Sequence, residues 1–419
     1  MLEFLEELSA RRRFGMKPGL ETIRALCAAL GDPQTRFRAI HVAGTNGKGA
    51  VCAMLDACLP GRVGRYTSPH LIRLNERFFL QGAPVGDAEL DRTSARVARS
   101  IAELEKRAAA DVTFFEALTA VAFVLYAEAR CDHVVLETGL GGRLDATNVC
   151  EPELCVITRL GLDHCDWLGS TVEQIAAEKA GIVKPGVPVV LGRNEPSVRA
   201  VVEARAQAVG APFFYAPDFA DEREIPSDFS LPGAFNRENA VTALAALKVL
   251  SGGAISRQMC EGFSRVVWPG RFQRVGTFVV DGAHNPPAAR ALAAALSELP
   301  ETKAGQKFDL VAGFCGDKDV EETLRLLAPY VARGLAVRTN NPRSLAAEET
   351  AAKMRAVGIP AEPAESLPAA IARCRKTPAT LICGSLFLAG EALVELKAYP
   401  WPVGRFDPSE SLKPAEGVR

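Results

Sequence analysis

Four short apolar runs, "FRAIHVAG", "CDHVVLETG", "ELCVITRLG" and "GVPVVLG", alternate with longer stretches rich in Ala, Leu and Glu. Runs of that length without a polar face predict parallel strands covered on both sides by helical crossovers, an α/β fold. A second series follows "WPGRFQRVG": a strand at Thr277 to Val280, a helix from about Pro287, a strand at Phe308 to Ala312 and a late strand at Thr377 to Cys383. Pro269 and Gly270 punctuate the chain where the two series meet, so a boundary is expected near Trp268 to Arg271, dividing 1–269 from 270–419. The stretch Phe219 to Pro232 reads as a loop or linker. The opening "MLEFLEELSARRRFG" predicts an amphipathic helix, not a secretory leader.

Composition narrows the partners. With 419 residues, 48% hydrophobic and 24% charged, the chain is long enough for large cores and too apolar for wholesale disorder. Its 49 basic and 50 acidic residues leave a formal charge of -1, which gives no global field to recruit a polyanion, so nucleic acid is not an expected partner. No segment reaches the roughly 18 to 20 apolar residues that span a bilayer, so the expectation is a cytoplasmic monomer without a membrane partner. The 11 cysteines form no CxxC pair and are expected to be reduced and structural.

The candidate chemistry begins at "HVAGTNGKGA", residues 41 to 50. Gly44, Thr45, Asn46, Gly47, Lys48 and Gly49 follow the strand at Ile40 to Ala43 and precede an apolar helical face of Val51, Met54, Leu55, Cys58 and Leu59. Lys48 therefore opens a helix, where free amide protons and flexible glycine backbone can hold phosphate. A tight strand-to-helix turn is the bland alternative. Gly49 and Ala50 supply no hydroxyl after the lysine, so a magnesium ion accompanying the nucleotide needs other ligands.

Three stretches offer them. In "RYTSPHLIRLNER", Ser68 and His70 bracket a proline that stops regular structure. In "VVLETGLGGRLDATN", Glu137 ends an apolar strand, where a buried carboxylate needs a partner or a metal; a salt bridge to Arg143 is the alternative. In "ITRLGLDHCDWLGSTVEQIAAEKAGIVKPG", Asp163 and His164 follow another strand, at the edge where open α/β sheets bind ligands. His164 reads equally as a cation ligand, a phosphate contact or a satisfied loop histidine. Ser170 or Thr171 can cap a helix over Val172 to Ala180, on which adjacent Glu178 and Lys179 point apart; by spacing alone Lys179 is an ordinary surface charge.

Taken in order, "RFGMKPGLE", "HVAGTNGKGA", "YTSPHL", "NERFFLQG", "TFFEALTAVAF", "ETGLGGRLDATN", "GLDHCDWLG", "IAAEKAGIVKPG", "WPGRFQ", "DGAHNP", "DKD" and "CGSLFLAGE" resemble the folylpolyglutamate synthase and dihydrofolate synthase family of the Mur ligase superfamily. The resemblance runs from about Arg13 to Glu391. It implies a P-loop ATPase-type N-terminal domain for ATP and folate or pteroate, and a smaller Rossmann-like C-terminal domain for nucleotide and glutamate. It further implies that a substrate carboxylate attacks the terminal phosphorus of ATP, and that L-glutamate then displaces phosphate from the acyl phosphate. By match, Lys48 contacts ATP phosphates, Ser68 and Glu137 surround a first Mg2+, and His164 ligates a second. Lys179 matches a lysine carbamylated by carbon dioxide, which turns an ammonium into an anionic oxygen ligand; Lys48, His164 and Lys179 are then the catalytic group. Asn239, Arg271, Asp281 and His284 match adenine, ribose and phosphate contacts. Their bland readings are a helix brace for Asn239, an ion pair for Arg271 and an ordered turn for Asp281 and His284.

Two departures stand out. Ala50 replaces the family's usual serine, and "GAFNR" at Gly233 to Arg237 replaces a glycine, histidine and glutamine pattern. The expected activity is bifunctional, with dihydropteroate and tetrahydrofolate or folylpolyglutamate as acceptors and room for a monovalent cation. A monofunctional enzyme, a Mur-type peptidoglycan precursor ligase and a nucleotide-binding regulator are the alternatives. The acceptor pocket is expected near "HLIRLNERFFLQG" and the "TFFE" helix start, although Phe78, Phe79, Phe114 and Phe115 read equally as core.

Overall fold

The computed structural model describes residues 19–107, 111–316 and 318–403; the helix expected over residues 1–15 lies outside them. The chain divides into two compact units. One takes the residues up to His70, Leu74–Ser230 and Arg237–Val266; the other takes Leu71–Arg73, Leu231–Asn236 and the residues from Val267 onward.

The first unit is built on eight strands: β1 (Arg38–Ala43), β2 (Val63–Tyr66), β3 (Phe78–Leu80), β4 (Ala83–Pro84), β5 (His133–Glu137), β6 (Pro152–Ile157), β7 (Val189–Leu191) and β8 (Phe213–Tyr215). They lie in the order β4-β3-β2-β5-β1-β6-β7-β8. β2, β5, β1, β6, β7 and β8 pair in parallel, and the β3 and β4 pairs at one edge are antiparallel. β1 is buried from Ala39 onward and β5 throughout, which is why their sequences carry no alternation: each strand has a covered face on both sides.

Four helices of this unit matter below: α1 (Lys48–Cys58), α2 (Phe114–Glu128), α3 (Val172–Ala180) and α4 (Ala234–Leu250), the last beginning in the three residues grouped with the second unit. α3 has the bounds its sequence predicts. Of its two candidate caps, Thr171 makes the bond: its hydroxyl accepts the Gln174 amide and the Gln174 side chain returns to the Thr171 amide, a reciprocal cap. Thr113 and Glu116 close α2 in the same way. The linker expected over Phe219 to Pro232 is not featureless, because Asp221 caps a short 3-10 turn at Glu222–Glu224.

The second unit carries six strands, β9 (Gln273–Val275), β10 (Phe278–Val280), β11 (Phe308–Ala312), β12 (Val331–Ala336), β13 (Ala361–Pro363) and β14 (Thr380–Cys383), in the order β13-β12-β11-β14-β10-β9. All pairs are parallel except β9 with β10. Successive residues face opposite cores. Val279, Leu310 and Leu381 join one cluster with Leu292 and Leu296 of α5 (Pro286–Ser297); Val280, Val311 and Ile382 join another with Leu388 and Leu393 of α6 (Leu386–Glu395). Helices on both faces of a mostly parallel sheet make this unit Rossmann-like, as expected. β14 starts three residues later than its sequence predicts because Thr377 is spent in a turn, its amide bonding to the Cys374 carbonyl. No helix among the described residues is long and apolar enough to cross a membrane.

Candidate active site

β1 delivers the glycine loop to the carboxyl edge of the sheet. Gly44 could not be another residue without displacing a neighbour, since a Cβ there would stand 1.8 Å from Oγ1 of Thr158. Gly47 adopts φ +87°, which L side chains rarely enter, and its would-be Cβ lies 2.2 Å from Oδ1 of Asn239. The loop is pinned by the segment after β6. The amides of Thr45 and Asn46 bond to the Arg159 carbonyl, the Thr158 hydroxyl donates to the Asn46 carbonyl at 2.7 Å, and Thr45 exchanges hydrogen bonds with Gly161. Asn194 braces that segment in turn, accepting the Leu160 amide and donating to the Thr158 carbonyl. No side chain caps α1, so the first-turn amides behind Gly47 face the loop without an intrahelical acceptor, the arrangement that receives phosphate oxygens. Ala50 sits buried in that first turn.

Lys48 leans back over the loop, donating from Nζ to the Thr45 carbonyl at 3.2 Å and standing 3.9 Å from Oε1 of Glu137. Glu137 is only 4% exposed at the end of β5, directly beside β1 through the Val42 register pair, and its Oε2 accepts the Ser68 amide at 2.9 Å. The structure thus gathers Lys48, Ser68 and Glu137. Arg143 does not neutralise Glu137; it pairs with Glu178 at 2.9 Å instead.

The glycine loop that follows Glu137 is organised by Asp145, a residue the sequence did not single out. Its two oxygens accept the amides of Gly139, Leu140 and Thr147 and the Thr147 hydroxyl. Burial nevertheless pushes the Asp145 carboxyl above the ordinary carboxylate range. The same loop is fastened to α3, because the Arg143 amide bonds to the Glu178 carbonyl and Asn148 donates to the carbonyls of Arg143 and Gly181.

α3 turns Glu178 outward to Arg143 and Lys179 inward. Lys179 is 4% exposed, and its amine is held down from its ordinary value of 10.5 to about 7. Burial is the main cause and the Lys48 charge the second; Asp163, Asp145 and Glu137 oppose them. The amine is therefore substantially uncharged near neutrality. His164 lies farther out, half-exposed, with Nε2 3.9 Å from Oδ1 of Asp163, the carboxylate that Lys179 senses.

Among the described residues, no cluster of three or more His, Cys, Asp and Glu side chains forms an all-protein metal cage. The side chains here that could offer donors to a cation are Glu137, Ser68 and His164, too few for a closed shell, so a cation would take its remaining donors from outside the protein. The donor chemistry fits a hard cation that keeps part of its shell on substrate.

Of the nucleotide-contact candidates, Asn239 belongs to the first unit and touches the loop at Gly47. Arg271, Asp281 and His284 belong to the second. Asp281 follows β10 and is buried, accepting the Phe272 and Ala283 amides at 2.7 Å each; burial raises its pKa, against the Arg271 charge. Arg271 donates to the Gly270 carbonyl and His284 Nδ1 sits 2.8 Å from the Gly282 carbonyl. Asp281 and His284 thereby order the turn that precedes α5. Phe78 and Phe114 are buried, and Arg77 stands 5.9 Å over the Phe114 ring.

Two family models match the chain: the Mur ligase middle domain over residues 42–210, and the Mur ligase, glutamate ligase domain over residues 270–386. A dihydrofolate synthase/folylpolyglutamate synthase of Bacillus subtilis is 35% identical over 350 residues, covering 76% of this chain and 81% of the relative. The solved Mycobacterium tuberculosis folylpolyglutamate synthase complexed with ADP superposes with a TM-score of 0.87 at 31% identity, covering 96% of this chain and all of that one. A bifunctional folylpolyglutamate synthase/dihydrofolate synthase with Mn, AMPPNP and L-glutamate bound superposes with a TM-score of 0.80 at 30% identity, covering 94% and 98% of the two chains.

Proposed function

Because the chain belongs to the folylpolyglutamate and dihydrofolate synthase family of the Mur ligases, we propose that it joins L-glutamate to dihydropteroate and to tetrahydrofolate or its polyglutamates at the expense of ATP. The observation that carries this reading is the Lys48–Glu137 pair beside the glycine loop, together with a buried Lys179 that senses both charges and whose amine is held down to about 7. The Bacillus relative's double name supports two acceptors, and the AMPPNP, Mn and L-glutamate bound to the solved bifunctional relative support the reactants.

The first step brings an acceptor carboxylate to the terminal phosphorus of ATP, two anions that repel. In this chain the first-turn amides of α1 and the Lys48 ammonium receive the phosphate oxygens and fix their position for in-line attack. Glu137 and Ser68 are the proposed holders of one Mg2+, and His164 with carbamylated Lys179 of a second. Bound there, the ions supply charge neutralisation of the reacting phosphates. A neutral amine is what carbamylation requires: the Lys179 nitrogen adds to carbon dioxide, a C–N bond forms, and one proton leaves to solvent. The product is an anionic oxygen donor where an ammonium would repel a cation. The acceptor carboxylate oxygen bonds to the terminal phosphorus as the bond to ADP breaks; in the second step the amino group of L-glutamate attacks the acyl carbon of the resulting acyl phosphate, losing a proton as phosphate departs. Asn239, Arg271, Asp281 and His284 are proposed nucleotide contacts.

Parallel assays of ADP release and product mass, with dihydropteroate or tetrahydrofolate as acceptor and L-glutamate present, test the proposal. Turnover with both is expected. Turnover with one alone narrows the enzyme to that activity, and turnover with neither overturns the reading.

A further inference from the structure

A hydrogen-bonded chain runs from inside the central strand to the loop behind Glu137. His41, fully buried in β1, places Nε2 2.8 Å from Oγ1 of Thr147. That hydroxyl donates to Oδ1 of Asp145 at 2.5 Å, and Oδ2 of Asp145 accepts the amides of Gly139 and Leu140 at 2.8 Å each. Counting protons fixes the direction. Three amides donate to Asp145 and favour its ionised form, so the single hydroxyl proton of Thr147 goes to the carboxylate and the threonine oxygen receives the Nε2 proton of His41. The imidazole is thus the neutral Nε2–H form, with Nδ1 left without a hydrogen-bond partner. Burial, aided by the Lys184 charge, holds its pKa down to about 3, so this form persists through the physiological range.

An apolar side chain would fill the strand interior without stranding a ring nitrogen. What the imidazole adds is a donor to Thr147. β1 then grips the loop at both ends: the Val42 carbonyl accepts the Thr138 amide immediately after Glu137, and the neighbouring His41 acts through Thr147 on Asp145. We propose that His41 and Thr147 are positioning residues for glutamate ligation, which through Asp145 hold the 138–145 loop and thereby set the Glu137 carboxylate to receive a divalent cation. This rests on the metal role of Glu137 proposed above.

The test compares Thr147→Val and His41→Leu, which remove hydrogen-bonding groups at similar volume, with Thr147→Ser, which keeps the hydroxyl. Amide hydrogen exchange of metal-free, nucleotide-free protein is expected to quicken about tenfold across residues 138–147 in the first two variants, the loss of one buried hydrogen bond, and to stay unchanged across β7. Mn2+ affinity in the presence of AMPPNP, read by electron paramagnetic resonance, is expected to fall by a similar factor, with Thr147→Ser close to wild type in both measurements. Unchanged exchange in Thr147→Val, equal damage in Thr147→Ser, exchange rising equally in β7, or a loosened loop with wild-type Mn2+ affinity would each overturn the proposal. Wild-type protein that takes up no Mn2+ with the nucleotide would remove the metal role and the last link with it. The exchange comparison, made without either ligand, still decides the links from His41 to the loop.

Discussion

Nζ of Lys48 stands 3.9 Å from Oε1 of Glu137, so the cation of the glycine loop and the carboxylate of the adjacent strand share one small space. Each keeps the other tolerable in a place where neither has much water. A phosphate or a metal ion arriving there enters a site whose two charges are already opposed.

Lys48→Ala is expected to lower ATP-dependent ADP release by about 10²–10³-fold, the range for loss of one preorganised charge donor. It also removes one of the positive charges near the buried Glu137, at a cost of about 1–3 kcal/mol. Steady-state ADP assays and thermal unfolding check the two parts. Wild-type turnover would remove Lys48 from the phosphate site.

Lys179→Met should separate stability from function. In metal-free buffer stripped of carbon dioxide, replacing a buried amine by an apolar chain of similar length is expected to stabilise the protein by about 1–3 kcal/mol. Ligation is expected to disappear. A less stable variant would show that the amine is better solvated than its burial indicates, and residual ligation would count against the carbamate.

The pH dependence follows from the same amine. The folded state releases the Lys179 proton near 7, whereas the unfolded chain holds it to about 10.5. Across that window the unfolded state binds more protons, so this group makes stability rise with pH, with its penalty fully present below 7. Carbamate formation needs the deprotonated amine, so at fixed dissolved carbon dioxide activity should climb through pH 7, and bicarbonate should restore enzyme prepared in degassed buffer. A profile flat from pH 6 to 8, with no response to bicarbonate, contradicts the assignment.

Gly47→Ala is expected to lose stability by about 1–3 kcal/mol from backbone strain, before its methyl group displaces Asn239. Nucleotide affinity should fall with it, measured by ADP titration. Ala50→Ser, in the same first turn, should move the other way: a hydroxyl is expected to tighten magnesium nucleotide binding by about tenfold, the worth of one good hydrogen bond. Weaker binding would show that the buried turn has no room for the oxygen.

The sequence exposed what depends on neighbours along the chain. The strand at Phe308–Ala312 and the helix at Val172–Ala180 have the bounds their patterns predict, because apolar runs and a cap are local signals. The glycine loop was legible for the same reason. Partner choice was not: Glu137 had Arg143 as a plausible companion, and only the approach of α3 shows that Arg143 turns to Glu178 while Lys48 comes to stand beside Glu137. Lys179 read as a surface charge by spacing because one heptad's pattern cannot tell which face a neighbouring loop covers. Thr158, Asn194, Asp145 and His41 went unmarked, since each is an ordinary residue until tertiary contact gives it a partner; the Thr158 bond to Asn46 spans 112 positions.

That span matters during biosynthesis. β1 emerges from the ribosome early, but its two flanking neighbours in the sheet are β5 and β6, so one edge stays open until Glu137 and the other until Ile157 has been made. During that interval an apolar strand and a glycine loop with no acceptors for its amides are carried on a growing chain, where nascent polypeptides are most prone to associate wrongly. The anion cradle is therefore completed late, by residues translated long after it.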